Sequence, residues 1–288
     1  MTSIGWALSQ PAVLPWVALV LGLGVGSFLN VVIHRLPKML EREWRAECAE
    51  LAGGAAPAEA SFNLFVPRSH CPGCGKPIRA LHNVPIASWL LLKGKCFHCQ
   101  ARISAKYPLV ELLAGAGAAY AAWRFGATAA ALGAALFVWF TIALAFIDQE
   151  TGLLPDDLTL PLLWIGLILN LQDAFVPLSE AVIGAVAGYL ALWLVYWAFK
   201  LATGREGMGY GDFKMNAAVG AFLGWKMLPL VILLSSVVGL AFGVAQMLAA
   251  RGRWEAGFRF HFGPYLAIAG VIALFWGQPV LRWWLQRL

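Results

Sequence analysis

Two acidic residues stand at the ends of long apolar segments. Asp148 closes one segment in LAFIDQETGLLPDD, and Asp212 opens another in GMGYGDFKM. If those segments cross a membrane, ionisable groups at their ends are costly and therefore functional by default. Two carboxylates held close together at low dielectric share a proton, so that one is a general base for water while its protonated partner polarises a peptide carbonyl. The sequence thus predicts a hydrolytic pair, Asp148 and Asp212.

Asp212 has an alternative, structural role as the N-cap of the helix that follows it. Three closely spaced glycines favour the chemical role: Gly207, Gly209 and Gly211. Glycine permits a positive φ angle or the close approach of another backbone, and a cap requires neither. Gly209 and Gly211 are therefore predicted to support the site by leaving room for a substrate backbone beside Asp212.

Three other acids have structural explanations. Asp156 and Asp157 follow Pro155 where a helix is expected to begin, so at least one of them is predicted to be an N-cap. Glu111 lies one turn into an apolar segment, near a helix N-terminus that favours negative charge. The predicted chemistry requires none of these three carboxylates.

The composition indicates a membrane protein. Of the 288 residues, 60% are hydrophobic and 12% are charged, whereas a soluble domain carries about 25% charged residues. The net charge of +6 would suggest a nucleic-acid partner for a soluble protein, but basic residues here set the membrane topology. We therefore expect an integral membrane protein that binds no nucleic acid.

Eight apolar segments approach the length of a membrane span. They cover residues 11–33, 107–123, 128–147, 158–176, 180–199, 213–225, 227–249 and 263–280. The sixth is short for a straight span, and the pattern does not define its boundary with the seventh. The predicted fold class is all-α, with about eight transmembrane helices in three parts: a first helix at 1–34, an insert at 35–106 and a helical bundle at 107–288.

Basic residues are distributed unequally between the loops. Eight spans place both termini on one side, and 17 of the 21 Lys and Arg residues then lie on the other side. The positive-inside rule places the insert and both aspartates at the cytosolic face, with the termini outside. Because MTSIGWALSQ lacks a basic region, the first apolar run is expected to be a retained span rather than a cleaved signal. The insert opens with residues 38–51, predicted as a short amphipathic helix at the interface or packed on its own domain.

The insert also contains two CxxC pairs, CPGC at 71–74 and CFHC at 96–99. Each pair can present two thiolates to one ion, and together they complete a tetrahedral zinc site. Two disulfides are the alternative, which reducing conditions in the cytosol disfavour. We predict a structural zinc ion with four sulfur ligands and no open position for substrate. These ligands are Cys71, Cys74, Cys96 and Cys99.

Several stretches together resemble one family, the bacterial type IV prepilin peptidases, a branch of the GxGD membrane aspartic proteases. GYGD follows a span that ends in aspartate, and further signatures occur in the family's order over nearly the whole chain. They are GSFLNVVIHRLP at 26–37, RSHCPGCGKPI at 68–78, NVPIASWLLLKGKC at 83–96, YPLVELL at 107–113 and IDQETGLLPDDLTLP at 147–161.

The resemblance implies a specific function. Such enzymes cut the basic leader from type IV prepilins and type II secretion pseudopilins at the cytosolic face of the inner membrane. They then methylate the new N-terminal residue, usually phenylalanine, with S-adenosylmethionine. The resemblance implies that Asp148 and Asp212 are the catalytic aspartates and that the four cysteines bind zinc. Gly94 and Lys95 are candidates for methyl transfer, with zinc-knuckle turn chemistry as the alternative.

The family's architecture implies a bundle open at its cytosolic face, which a substrate helix enters from the membrane lipid. Acidic headgroups are expected to hold the basic leader.

Two other functions are compatible with buried acids in a membrane protein. A proton-coupled transporter would use Asp148 and Asp212 as a relay, but it predicts related halves, and no internal repeat is found. A non-enzymatic assembly factor would dock cytosolic partners through its zinc domain. Incubation with a prepilin distinguishes a peptidase from both of these alternatives, because only a peptidase shortens the prepilin.

Overall fold

The computed structural model describes residues 12–54, 61–71, 73–78, 83–249, 261–285 and 287. Within these ranges the chain forms nine α-helices, together with 3₁₀ turns at Asn170–Gln172 and Trp225–Met227. The α-helices are α1 Leu14–Leu51, α2 Ala87–Leu91, α3 Lys106–Phe125, α4 Ala129–Thr151, α5 Asp156–Leu169, α6 Leu178–Thr203, α7 Tyr210–Leu223, α8 Leu228–Ala249 and α9 Gly263–Leu285. They divide into two compact units, one ending at Ala127 and the other beginning at Thr128.

Five helices in the described part of the chain are long and apolar enough to cross a membrane. They are Leu14–Leu51, Ala129–Thr151, Leu178–Thr203, Trp225–Ala245 and Gly263–Trp283. The protein is therefore an all-helical membrane protein. Each of the eight predicted segments coincides with a helix, but α3, α5 and α7 are not among these five, and α5 and α7 have only 14 residues each. The count of eight spans remains a prediction.

In the first unit, α1 and α3 pack through small residues. A Cβ atom on Gly26 would lie 2.6 Å from Cα of Glu111, so only glycine allows this approach. The separate amphipathic helix predicted at 38–51 is wrong, because α1 continues through Pro37 to Leu51. Strong helix-forming residues dominate 38–51, and their propensity carries the helix past the proline. The predicted domain boundary after residue 34 therefore falls inside a helix.

Glu111 fastens the segment before α2 to α3. Its carboxylate is buried, and Oε2 accepts a hydrogen bond from the backbone N–H of Ile86 at 2.7 Å. Ile86 has a φ angle of +57°, which is unfavourable for a β-branched residue. The hydrogen bond helps to hold this turn in place, so Glu111 has a structural role, as predicted.

In the second unit, α7 is the central helix. It packs closely on α6, where a Cβ atom on Gly188 would lie 2.6 Å from the carbonyl oxygen of Asn216. The Asn216 side chain donates to the Gly188 carbonyl at 2.8 Å, which joins the two helices. Eleven of the 14 residues of α7 are buried. Asp212, in the first turn of α7, is therefore carried on a well-packed helix.

Helix ends define the segments next to the two aspartates. Gly152 ends α4 with a φ angle of +69°, and its N–H donates to the Asp148 carbonyl at 2.8 Å. The predicted N-cap role of Asp156 or Asp157 is wrong, because Pro155 occupies the N-cap position. Pro155 has no backbone N–H that needs a hydrogen-bond partner. Both acids lie instead in the first turn of α5, where the helix dipole favours negative charge.

Candidate active site

Asp148 is a buried carboxylate in the last turn of α4. It is 5% exposed, and its Oδ2 accepts a hydrogen bond from the N–H of Gly263 at 3.0 Å. A Cβ atom on Gly263 would lie 2.7 Å from that same oxygen. The start of α9 can therefore approach Asp148 this closely only because residue 263 is glycine.

Asp212 is a buried carboxylate in the first turn of α7. It is 5% exposed, and its Oδ2 accepts a hydrogen bond from the N–H of Gly209 at 3.1 Å. The alternative that Asp212 is the N-cap itself is wrong: Gly209 holds that position, and Asp212 caps it from within the helix. The hydrogen bond from Gly209 uses only the Oδ2 oxygen of Asp212. Oδ1 is buried and has no hydrogen-bond partner among the described residues, so it is available for chemistry.

The fold brings the two carboxylates together. Asp148 ends α4 and Asp212 begins α7, and a Cβ atom on Gly211, beside Asp212, would lie 2.5 Å from Cβ of Leu154, which follows α4. Two buried carboxylates held close together do not both ionise readily. The sequence predicts the meeting of Asp148 and Asp212 from the apolar segments, and this arrangement of helix ends in the second unit is compatible with it.

The glycines before Asp212 have different roles. Gly211 permits a close approach, since a Cβ atom there would lie 2.5 Å from Cβ of Leu154. Gly209 has a φ angle of −86°, and a Cβ atom on it would meet nothing closer than Asp212 Oδ2 at 3.8 Å. Gly207 packs against the ring of Phe199. Close packing, rather than positive φ, therefore explains Gly211, whereas a methyl group at Gly209 would make only ordinary van der Waals contacts.

Two polar contacts hold the backbone around Asp212. Lys214 donates to both carboxylate oxygens of Asp156 at 2.7 Å, which joins the first turns of α5 and α7. Before α7, Lys200 donates to Glu206 at 2.8 Å and to the hydroxyl of the buried Tyr196 at 3.1 Å. These contacts fasten both sides of the aspartate-bearing turn to neighbouring helices.

Sequence reasoning missed one residue of this site, His261. Its Nε2 would lie 3.5 Å from a Cβ atom placed on Gly152, the residue that ends α4. The available signal was a histidine directly before an apolar span, in HFGPYLAIAG. That signal is weak, because nothing in the sequence shows that the start of α9 lies beside the end of α4.

The four cysteines of the insert meet in the first unit. Their Sγ atoms all lie within 4.8 Å of one another, and Cys71 Sγ is 3.7 Å from Cys99 Sγ. A tetrahedral zinc ion with Zn–S bonds of about 2.3 Å separates its sulfur ligands by roughly 3.8 Å, so the cluster fits zinc. All four cysteines are free thiols rather than disulfides.

The two knuckles share one backbone pattern. The N–H of the first cysteine donates to the carbonyl five residues later, to Lys76 from Cys71 and to Ala101 from Cys96, each at 2.9 Å. Hydrogen bonds from the backbone N–H groups of Cys99 and His98 lower the pKa of the Cys96 thiol to about 6. That effect favours the thiolate, which is the form that binds a metal ion.

Gly94 and Lys95 lie at the entrance to the second knuckle. Gly94 has a φ angle of +67°, and a Cβ atom on it would lie 3.0 Å from the ring of Trp89. Its carbonyl accepts from the N–H of Ile103 at 2.8 Å, while Lys95 forms an isolated bridge with Arg102. The geometry of the turn therefore explains why residue 94 is glycine, and the explanation requires no bound ligand.

Comparisons with known proteins show the family of the chain. The bacterial peptidase A24 N-terminal domain matches residues 20–125, and the type IV leader peptidase family matches residues 135–244. No solved structure matches the chain.

Three relatives named prepilin leader peptidase/N-methyltransferase are similar over nearly their full length. The protein from Stutzerimonas stutzeri is 53% identical over 99% of both chains. The protein from Aeromonas salmonicida is 54% identical over 96% of both chains. The protein from Pseudomonas aeruginosa is 52% identical over 99% of this chain and 98% of the relative. With two buried aspartates on facing helices and a four-cysteine cluster in the preceding unit, this chain belongs to the type IV leader peptidase family.

Proposed function

We propose that this protein cleaves the leader peptide of prepilins and N-methylates the new N-terminus. The observation that carries the proposal is that Asp148 and Asp212, both 5% exposed, lie at helix ends that the fold brings together. The relatives that share more than half of their residues with this chain carry both activities in their names. The proposed substrates are type IV prepilins and type II secretion pseudopilins.

Cleavage follows from the proton shared by the pair. The ionised carboxylate takes a proton from water as the water oxygen attacks the scissile carbonyl carbon. The protonated carboxyl donates a hydrogen bond to the carbonyl oxygen and stabilises the charge that develops there. Return of a proton to the leaving amine breaks the C–N bond and releases the leader. The Oδ1 of Asp212, which has no hydrogen-bond partner within the described ranges, supports this chemistry, because a carboxyl group engaged on both oxygens would be less free to act.

The proposed orientation places this site in the cytosol. The excess of basic residues in alternate loops supports an inner-membrane protein whose insert and aspartates face the cytosol and whose termini face the periplasm. A substrate helix would enter from the lipid, with its basic leader held by acidic headgroups. The absence of a close contact at Gly209 among the described residues is compatible with the passage of a substrate backbone beside Asp212.

The zinc ion is proposed to be structural. Four thiolates complete its coordination, so it would bind no substrate and would instead hold the two knuckles together. Small segments that cannot bury a large core depend on such crosslinks. Cys71 and Cys96, the first cysteine of each knuckle, are the buried members and would be most shielded from competing water.

Methyl transfer is proposed to involve the insert, with S-adenosylmethionine supplying the methyl group. Gly94 and Lys95 are the candidate residues, on the ground of the family resemblance. Lys95→Met should reduce binding of S-adenosylmethionine, measured by equilibrium dialysis, while zinc content stays constant. Lys76→Met, at an exposed lysine of the first knuckle, is the matched control. Equal binding by both variants would remove Lys95 from the methyl-donor site.

The decisive experiment is incubation of the purified protein, in lipid, with a prepilin. A product shortened by the leader is expected from the unaltered protein, and Asp148→Asn and Asp212→Asn should each abolish it. Asp173→Asn is the control, because Asp173 is exposed and has a φ angle of +50°, which asparagine also adopts. A transporter or a non-enzymatic assembly factor would leave the prepilin uncut. An aspartate variant that cleaves normally would exclude that aspartate from the mechanism.

A further inference from the structure

Glu111 fixes the depth of α2 relative to the spanning part of the first unit. α1 is apolar enough to cross a membrane, and its apolar run ends at residue 33. Gly26 lies about 10 Å before that end along the helix axis, and it packs against the backbone of Glu111. The Glu111 carboxylate in turn accepts the N–H of Ile86 at 2.7 Å. The start of α2 is therefore held near the level of the last turns of the apolar run.

The surface of α3 beside this contact is apolar. Leu109, Leu112 and Leu113, which flank Glu111, are all exposed. Lipid chains are as apolar as leucine, so exposed leucines on a helix that packs against a spanning helix are suited to contact with lipid. The backbone N–H that Glu111 binds therefore lies beside a surface that suits the acyl region of a bilayer.

At this depth α2 presents an apolar tip. The helix has only five residues and is about 7.5 Å long, so its last residues lie close to Ile86. Leu90 and Leu91 are 61% and 83% exposed. Lys93 and Lys95 follow them, and both are exposed. Leucines beside lysines are typical of a segment that lies in the membrane interface, with apolar side chains among the acyl chains and cations at the headgroups.

The tip is fastened to the second zinc knuckle. Nε1 of Trp89, in the middle of α2, donates to the carbonyl of Ile103 at 3.3 Å. The N–H of Gly94 donates to the carbonyl of Trp89 at 2.8 Å, and a Cβ atom on Gly94 would lie 3.0 Å from the Trp89 ring. An anchor at α2 would therefore also hold the four-cysteine cluster at the membrane surface.

We propose that α2 is an interfacial anchor that docks the insert on the lipid bilayer. Leu90 and Leu91 lie among the acyl chains, and Lys93 binds the phosphates of anionic lipids. Two observations select lipid as the partner: the continuity of this surface with the spanning part of α1 and α3, and the lysines that follow the leucines.

The depth of residue 91 in a bilayer tests the proposal. A nitroxide spin label is attached to Leu91→Cys in a Cys48→Ser background, with zinc bound, in nanodiscs of phosphatidylcholine and phosphatidylglycerol. Collision rates with oxygen and with a water-soluble nickel complex should place the label about 5–10 Å inside the headgroup boundary. The chain without these two substitutions, labelled at Cys48, is the control, because Cys48 is exposed and lies about 22 Å beyond residue 33 along α1.

Each other result contradicts the proposal. A label at residue 91 that is as accessible to nickel as the label at Cys48 would show that the tip lies in water. Protection from both oxygen and nickel would show that protein covers the leucines instead of lipid. Because Leu91 is exposed, its cysteine variant should fold, and the zinc content checks this. The measurement requires no substrate, so its outcome is independent of prepilin cleavage.

The charge of Lys93 is tested in the same nanodiscs. A lysine near an anionic surface contributes about fivefold to binding, so Lys93→Gln should lower the ratio of lipid-bound to free tip about fivefold. In phosphatidylcholine alone, Lys93→Gln should have no effect. Arg205→Gln makes a comparable change at an exposed basic residue of the other unit and is the control. Equal depths with and without Lys93 in the anionic bilayer would overturn the assignment of anionic lipid as the partner.

Discussion

Lys214 on α7 donates to both carboxylate oxygens of Asp156 on α5, each at 2.7 Å. Lys214 lies two residues after Asp212, and Asp156 lies at the first position of α5. The ion pair therefore joins α7, which carries Asp212, to the start of α5, which follows the helix that carries Asp148. Its side chains are 30% and 55% exposed, so solvent screening limits its contribution to stability.

Loss of this pair should affect cleavage more than stability. We expect Lys214→Met to reduce kcat roughly threefold to tenfold, because a shift of a fraction of an ångström misplaces Asp212. A double-mutant cycle with Asp156→Asn should give a coupling of only about 0.5–1 kcal/mol in the free energy of unfolding. Lys226→Met, which breaks the comparable pair with Glu180 at 2.6 Å, is the control and should leave kcat unchanged. Equal effects of the two lysine variants on kcat would contradict the positioning role.

Alanine at the two glycines before Asp212 should separate packing from substrate access. Gly211→Ala places a methyl group 2.5 Å from Cβ of Leu154, and such overpacking costs about 1–3 kcal/mol. Gly209→Ala meets nothing closer than 3.8 Å, so it should cost only the N-cap preference for glycine over alanine, about 0.5–1 kcal/mol. If a substrate backbone passes there, however, Gly209→Ala should cleave at least about tenfold more slowly. Unchanged cleavage by a folded Gly209→Ala would show that the space is not used.

Removal of zinc should unfold the insert without removing a reacting group. The purified protein is expected to hold one zinc ion per chain, and Cys71→Ser or Cys96→Ser should release it, as measured by elemental analysis. Because all four ligand positions are sulfur, zinc should be exchangeable for cadmium with cleavage retained. Cys48→Ser is the control, since Cys48 is exposed and lies outside the four-cysteine cluster. A requirement for zinc that cadmium cannot meet would indicate a catalytic metal.

The two knuckles differ at the residue after the second cysteine. Gly75 and Gln100 occupy equivalent positions with φ angles of +68° and +58°. Gly75→Ala should raise the free energy of the folded knuckle by about 1 kcal/mol, a loss of about fivefold in zinc affinity, because alanine is strained there and nothing lies nearby to compensate. Gln100→Ala should have little effect, since that position already carries a side chain. Competition with a chelator measures both, and equal losses would show that conformational strain is not the cause.

Composition and local spacing are sufficient to predict the class of the protein and most of its chemical groups. Hydrophobic runs and a small charged fraction are properties of composition, so membrane helices follow from them without any knowledge of packing. The spacing of the CxxC pairs likewise specifies a four-sulfur cluster, because only two short turns are required to form it. Helix termini were less certain. The expected N-cap at Asp156 or Asp157 was taken by Pro155, and α1 continued where a new helix was expected.

The tertiary structure alone decided which groups face one another. Asp148 and Asp212 are 64 positions apart, and their meeting depends on α7 being packed inside its unit by close contacts such as Gly188 with Asn216. The folded chain also places Gly263 against Asp148 and leaves one oxygen of Asp212 without a partner among the described residues. Sequence patterns report the local chain and its average surroundings, whereas the charge state of a buried carboxylate depends on the few atoms around it. Those atoms come from distant segments, and only the folded chain brings them together.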